Sequence, residues 1–112
     1  MNWAYELVEH AIDRYRELDG DERKGLREEL AKVVEDHQLG RVPRQGKTEK
    51  LKGQQGRFRL KSWPRRALFR IEKRPVLDDK GRPLMDGNCP VMAGFIVVYE
   101  IERRDKVYKA KK

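Results

Sequence analysis

The stretch Arg57-Phe58-Arg59-Leu60-Lys61 alternates strictly between cationic and apolar side chains. An extended strand sends successive side chains to opposite faces. This segment therefore reads as a strand with Phe58 and Leu60 on a covered face and Arg57, Arg59 and Lys61 on the other. After a Trp63-Pro64 turn comes a second strand, Arg66-Ala67-Leu68-Phe69-Arg70-Ile71. Ala67, Phe69 and Ile71 share its covered face, while Arg66, Leu68 and Arg70 share the opposite one. Phe95 to Ile101 is the most apolar segment and reads as the central strand of a sheet. Near the start, Trp3, Tyr5 and Leu7 recur at period two, which suggests a short strand over residues 2–8, with a helix start as the alternative.

Two helices are expected between these strands. Residues 9–18 place Ile12, Tyr15 and Leu18 at spacings of three. Asp19-Gly20-Asp21 is a turn, and Asp19 with Glu22 has the form of a capping box that opens a second helix. Leu26, Leu30, Val33 and Val34 form its apolar stripe, and Gly40 marks its stop. Residues 40–56 read as a polar loop. Residues 73–94, with Pro75, Lys80-Gly81, Pro83, Asp86-Gly87 and Pro90, read as a turn-rich excursion with a hairpin at Asp79-Lys80-Gly81. The order strand–helix–helix–strand–strand–strand predicts an α+β fold, a helical hairpin packed on a largely antiparallel four-stranded sheet. Its expected core face is Phe58, Leu60, Ala67, Phe69, Ile71, Phe95, Val97, Tyr99 and Ile101, with Leu26, Leu30 and Val34 from the helices. A chain of 112 residues is expected to form one domain.

Charge is unevenly distributed along this chain. The formal net charge is +8. Residues 1–39 carry six basic and eleven acidic side chains, whereas residues 40–70 carry eleven basic ones and a single acid, Glu49. A concentrated basic block is the electrostatic footprint of a polyanion partner. Arg41, Arg44, Lys47, Lys52, Arg57, Arg70 and Arg103 are its candidate RNA-binding residues. With one cysteine, Cys89, an internal disulfide is impossible. No stretch is apolar enough to span a membrane, and the N-terminus lacks a signal-peptide layout. A reducing cytoplasm is the natural compartment.

Metal chemistry is not expected, because His10, His37 and Cys89 show no ligand spacing. Gly53-Gln54-Gln55-Gly56 matches the GxxG of a KH domain in form only. That loop should join two helices, and here it precedes a strand. The constellation with chemical potential is Arg59, Lys61, Arg66, Arg70, Arg103, Arg104 and Tyr108. Antiparallel pairing would bring Arg59 and Lys61 near Arg66 or Arg70, and like charges facing each other destabilise a sheet. A sequence that accepts this cost is expected to bind an anion there. RNA carries its own nucleophile, the 2′-OH, so a site of this kind needs an activator for that hydroxyl, a proton for the leaving oxygen and cations for the transition state. Tyr108 would serve as acid, base or stacking platform.

The pattern as a whole resembles the RelE/ParE superfamily of bacterial type II toxin–antitoxin toxins. Trp3 to Val8, a helix, and Leu18 to Arg23 resemble its first strand and helical hairpin. Leu51-Lys52-Gly53, Gly56 to Lys61, Arg66 to Ile71, and Arg103-Arg104-Asp105-Lys106-Val107-Tyr108 are similar to its later strands and closing segment. The resemblance implies an mRNA-cleaving toxin acting at the ribosome without a cofactor. It gives the catalytic roles to Arg59, Lys61, Arg66, Arg104 and Tyr108, and implies a cognate antitoxin with an acidic segment as partner. This chain departs from the pattern in three places. Arg59 stands where some members have lysine, Glu102 replaces a basic residue of some members, and residues 73–94 exceed the usual connection. These departures leave two alternatives within the family, a toxin that poisons DNA gyrase without cutting RNA and a degenerate, inactive toxin; outside the family, the third reading is a basic RNA- or ribosome-binding module without catalysis.

Overall fold

The computed structural model describes residues 1–41 and 47–103, the last by its backbone. The elements are β1 (Asn2–Leu7), α1 (Glu9–Arg16), α2 (Gly20–Gln38), β2 (Thr48–Lys50), β3 (Arg57–Ser62), β4 (Arg65–Pro75), β5 (Met85–Asp86), β6 (Cys89–Pro90) and β7 (Met92–Arg103). The fold is α+β, with both helices on one face of a mostly antiparallel sheet. That sheet has five strands in the order β1-β7-β4-β3-β2, one more than the alternation pattern suggests. The extra strand, β2, is three residues long and lies inside the segment read as loop. So short a run carries no periodicity. Among the described strands only β1 and β7 run parallel.

The local signals for the second helix hold. Asp19 Oδ1 accepts from the Glu22 amide at 2.8 Å, and Glu22 Oε1 accepts from the Asp19 amide at 3.4 Å, which closes the capping box. Gly40 ends α2 in the left-handed region (φ 70), where a residue without a Cβ is least strained. The helices seal the sheet with Ala11, Leu26, Leu30 and Val33, which pack on Leu60, Ala67, Phe69, Ile96, Val98 and Ile101. Val33 is the fully buried valine of the stripe, and Val34 packs at its margin. The Phe58 and Phe69 rings stack across β3 and β4 with centroids 5.3 Å apart.

One expectation fails on β7. Phe95 and Tyr99 do not join Ile101 in the core under the helices, whereas Ile96 and Val98 do; Val97 is fully buried but lies outside that cluster. The cause is a β-bulge. Leu68 pairs with Glu100 and the next residue, Phe69, pairs with Val98, which leaves Tyr99 as an extra residue on β7. An extra residue reverses the parity of everything beyond it. Because the segment is apolar at nearly every position, the alternation gave no warning.

The expected excursion is also shorter than 73–94. Lys73 pairs with Gly94 and Pro75 with Met92, so these residues extend β4 and β7. Beyond them the Asp78 carboxylate accepts from the Lys80 and Arg82 amides at 2.9 Å and shapes the first turn. β5 and β6 then form a second, two-stranded sheet. At the other sheet edge, Trp3 stacks on His37 with ring centroids 4.4 Å apart. It lies so close over Gly94 that a Cβ there would fall 2.5 Å from the ring.

Candidate nucleic-acid interface

The face of the sheet turned away from the helices carries the charges. In the β3–β4 register Lys61 pairs with Arg66, Arg59 with Leu68, and Arg57 with Arg70. The alternation that sends Phe58, Leu60, Ala67 and Phe69 into the core sends these cations to the other side. β2 then adds a residue that the sequence reading passed over. Glu49 pairs in register with Arg59, and its Oε1 accepts from Arg59 Nη1 at 3.0 Å. That hydrogen bond is the main cause holding the Glu49 carboxyl below its ordinary value of 4.5, and the charges of Lys61, Arg59 and Arg66 act in the same direction. Three cations thus converge on one carboxylate. The signal for Glu49 was present in the sequence, because it is the single acid of the basic block.

The two ends of this face differ in how far their charges are satisfied. Toward the β4–β7 extension, Arg70 Nε donates to Glu72 at 2.8 Å, and Arg74 pairs with both Glu72 and Glu6. Both contacts lower the Glu72 carboxyl, that with Arg70 more, while Glu6 and Glu72 raise the Arg74 guanidinium. Arg57 lies over the Tyr99 ring at 4.6 Å and Arg74 over Phe95 at 4.3 Å, both cation–π contacts. Tyr99 and Arg74 are therefore further members of the face that the sequence reading did not single out. Toward the β3–β4 turn, Arg59 Nε and Arg66 Nε are buried without a hydrogen-bond partner among the described residues, as is the Tyr99 hydroxyl. A buried cationic donor without an acceptor is costly, and an anionic ligand would relieve that cost.

Of the expected site residues, Arg59, Lys61, Arg66, Arg57 and Arg70 come together on this face. Others do not. Arg41 ion-pairs with Asp36 at 3.2 Å just beyond the end of α2. Lys47 Nζ pairs with Glu29 of α2 at 3.1 Å, on the helical side. Lys52 is exposed in the turn between β2 and β3. The Arg103 backbone pairs with Arg65 at the end of β7. Arg44, Arg104 and Tyr108 lie outside the described residues. Arg65, next to Arg66 in sequence, serves the opposite face. It is buried, and its Nε lies 2.7 Å from Glu22 of α2. Among the described residues no cluster of three or more His, Cys, Asp or Glu is placed to hold a metal, and no helix is long and apolar enough to cross a membrane.

No family model matches this chain, and no curated protein matches it in sequence. In structure it is similar to a chain of the RelB–RelE antitoxin–toxin complex from Methanococcus jannaschii, with a TM-score of 0.53 and 12% identity. The similarity covers 95% of this chain and 98% of that one, so it is a likeness of the whole fold.

Proposed function

We propose that this protein is the toxin of a type II toxin–antitoxin system, an endoribonuclease that cleaves mRNA at the ribosome without a bound cofactor. The observation that carries this reading is the meeting of Arg59, Lys61, Arg66 and Glu49 on the open sheet face, with Arg59 Nε and Arg66 Nε lacking acceptors among the described residues. The whole-chain fold likeness to a member of an antitoxin–toxin complex supports the toxin role and a protein antitoxin as partner. An acidic antitoxin segment would suit the same basic face, because opposite potentials attract.

In this reading the Glu49 carboxylate accepts the proton of the 2′-OH, and the freed 2′-oxygen attacks the adjacent phosphorus. The bond to the 5′-oxygen breaks, leaving a 2′,3′-cyclic phosphate and a 5′-hydroxyl. Arg59 is a poor proton acceptor, since a guanidinium stays charged. A carboxylate is ionised at neutral pH and available for the task. A substrate phosphate that takes the Arg59 guanidinium would release Glu49 from the hydrogen bond that depresses its carboxyl, making it a stronger base at the moment of use. Arg66 and Lys61 oppose the charge that develops on the phosphate oxygens. Following the family resemblance, Arg104 adds to that charge and Tyr108 delivers the leaving-group proton.

Mapping RNA 5′ ends after induction in a bacterium tests the proposal. New ends within translated codons, absent from the Glu49→Gln variant, are the expected result. DNA damage without new RNA ends would instead identify a gyrase-directed toxin. RNA binding without cleavage would reduce the protein to a binding module.

A further inference from the structure

Among the described large apolar residues the side chain most open to solvent is that of Trp63, with 73% of its surface exposed. Trp63 and Pro64 are the two residues that join β3 to β4. The turn beneath them is held to α2 on both sides. Ser62 Oγ lies against Gly25, 3.9 Å from where a Cβ would stand, and Arg65 is buried beside Glu22. The ring takes no part in the hydrophobic core. An indole left this exposed on a fixed turn forgoes the burial that usually stabilises so large a side chain.

Its surroundings fit a nucleic-acid ligand. Lys61 and Arg66 face each other one register step in from the turn, and the residues between them are Ser62 to Arg65. Two residues of strand span about 7 Å. The indole therefore stands within reach of a base whose neighbouring phosphate is held by Lys61 and Arg66. We infer that Trp63 is a stacking platform for one base of single-stranded RNA, placed beside the phosphate-holding cations. This rests on the RNA-cleaving function proposed above and extends it to the form of the substrate. Aromatic planes bind unpaired bases because every base offers a π-face, which a duplex keeps stacked within its helix. The platform thus selects unpaired RNA and fixes where along it the phosphate is presented.

The test compares a short non-cleavable 2′-O-methyl oligonucleotide with its abasic counterpart of the same length and charge. The wild-type protein should bind the base-bearing strand about tenfold more tightly. Trp63→Ala should remove most of that difference while leaving abasic binding, its salt dependence and the melting temperature unchanged, and Trp63→Phe should keep part of it. If Trp63→Ala leaves the difference intact, or weakens both strands equally, the stacking role is overturned, although salt-dependent binding by the wild type would leave the RNA function standing. If the wild type binds neither strand, both inferences fall. If Trp63→Ala abolishes self-association in sedimentation while RNA discrimination persists, the turn is a protein contact and the inference is likewise overturned.

Discussion

On one face of the sheet Leu60, Ala67, Phe69, Ile96 and Val98 lie sealed under two helices; on the other, Arg59, Lys61 and Arg66 gather around Glu49. The same strands supply both faces. On the covered face Arg65 is buried, with its Nε 2.7 Å from the Glu22 carboxylate. On the open face the Nε of Arg66, its neighbour in the chain, is buried with neither an acceptor nor a paired carboxylate beside it among the described residues. The first arginine completes a structure. The second is left in an arrangement that folding alone does not favour, since Lys61 faces it in register. Unrelieved electrostatic cost, more than charge itself, separates the candidate site from ordinary basic surface. The paired Arg70, Arg74 and Glu72 farther along the face illustrate the relieved case.

Substitutions can break this contrast. The largest effect on stability should come from Arg65→Ala, which strands Glu22 in a mostly buried position and should cost ~3–5 kcal/mol in chemical denaturation. A melting curve like that of wild type would erase the distinction between the two arginines. Glu49→Gln keeps the size of the side chain and removes the proton acceptor. Cleavage should fall by about a hundredfold, a typical weight for a positioned general base, with RNA affinity retained. The pH profile sharpens the same point. A base must be ionised, and kcat/KM reports the free enzyme, so activity should be lost on acidification only below pH 4.5, the ordinary carboxyl value, because Arg59 depresses Glu49. Arg59→Ala should move that limb upward. A limb unmoved by Arg59→Ala would assign it to another group.

Smaller effects should come from outside the open face. Arg41 is tied to Asp36. Arg41→Ala should leave both the cleavage rate and the salt slope of RNA binding unchanged, whereas a residue that contacts a phosphate would lower that slope by about one. The smallest effect concerns the β4–β7 extension. The Val76 amide donates to the Val91 carbonyl at 2.8 Å, so replacing residues 77–90 with a tight turn should preserve the ladder on either side. Leu77, Leu84 and Met85 are exposed, and their loss should barely change circular dichroism or melting. Failure to fold would show that this segment is part of the core.

Much of this was legible in the sequence where polarity and periodicity agree. The alternation over Arg57–Lys61 assigned β3, its covered face and its open face. The Asp19/Glu22 spacing located the start of α2, and Gly40 its end. The illegible parts share a physical reason. Phe95–Ile101 is apolar on both sides because β7 is an interior strand between β1 and β4, so hydrophobicity could not report the bulge at Tyr99. β2 is too short to show a period and owes its place to pairing with β3. Glu49 stood out as the single acid of the basic block, but its role depends on the register of β2 against β3. Lys47 and Arg41 were grouped with the site by sequence proximity, but the fold pairs them with Glu29 and Asp36.

The most direct test of the central claim is Arg66→Ala, measured for both RNA cleavage and thermal stability in the same preparation. If the open face is a catalytic phosphate site, cleavage of a translated mRNA should fall by ~3 kcal/mol of transition-state stabilisation, about a hundredfold or more. The melting temperature should stay within a few degrees of wild type, since substitutions at a site that carries no structural pairing cost little. A variant that cleaves normally, or one that loses activity only because it unfolds, would contradict the account.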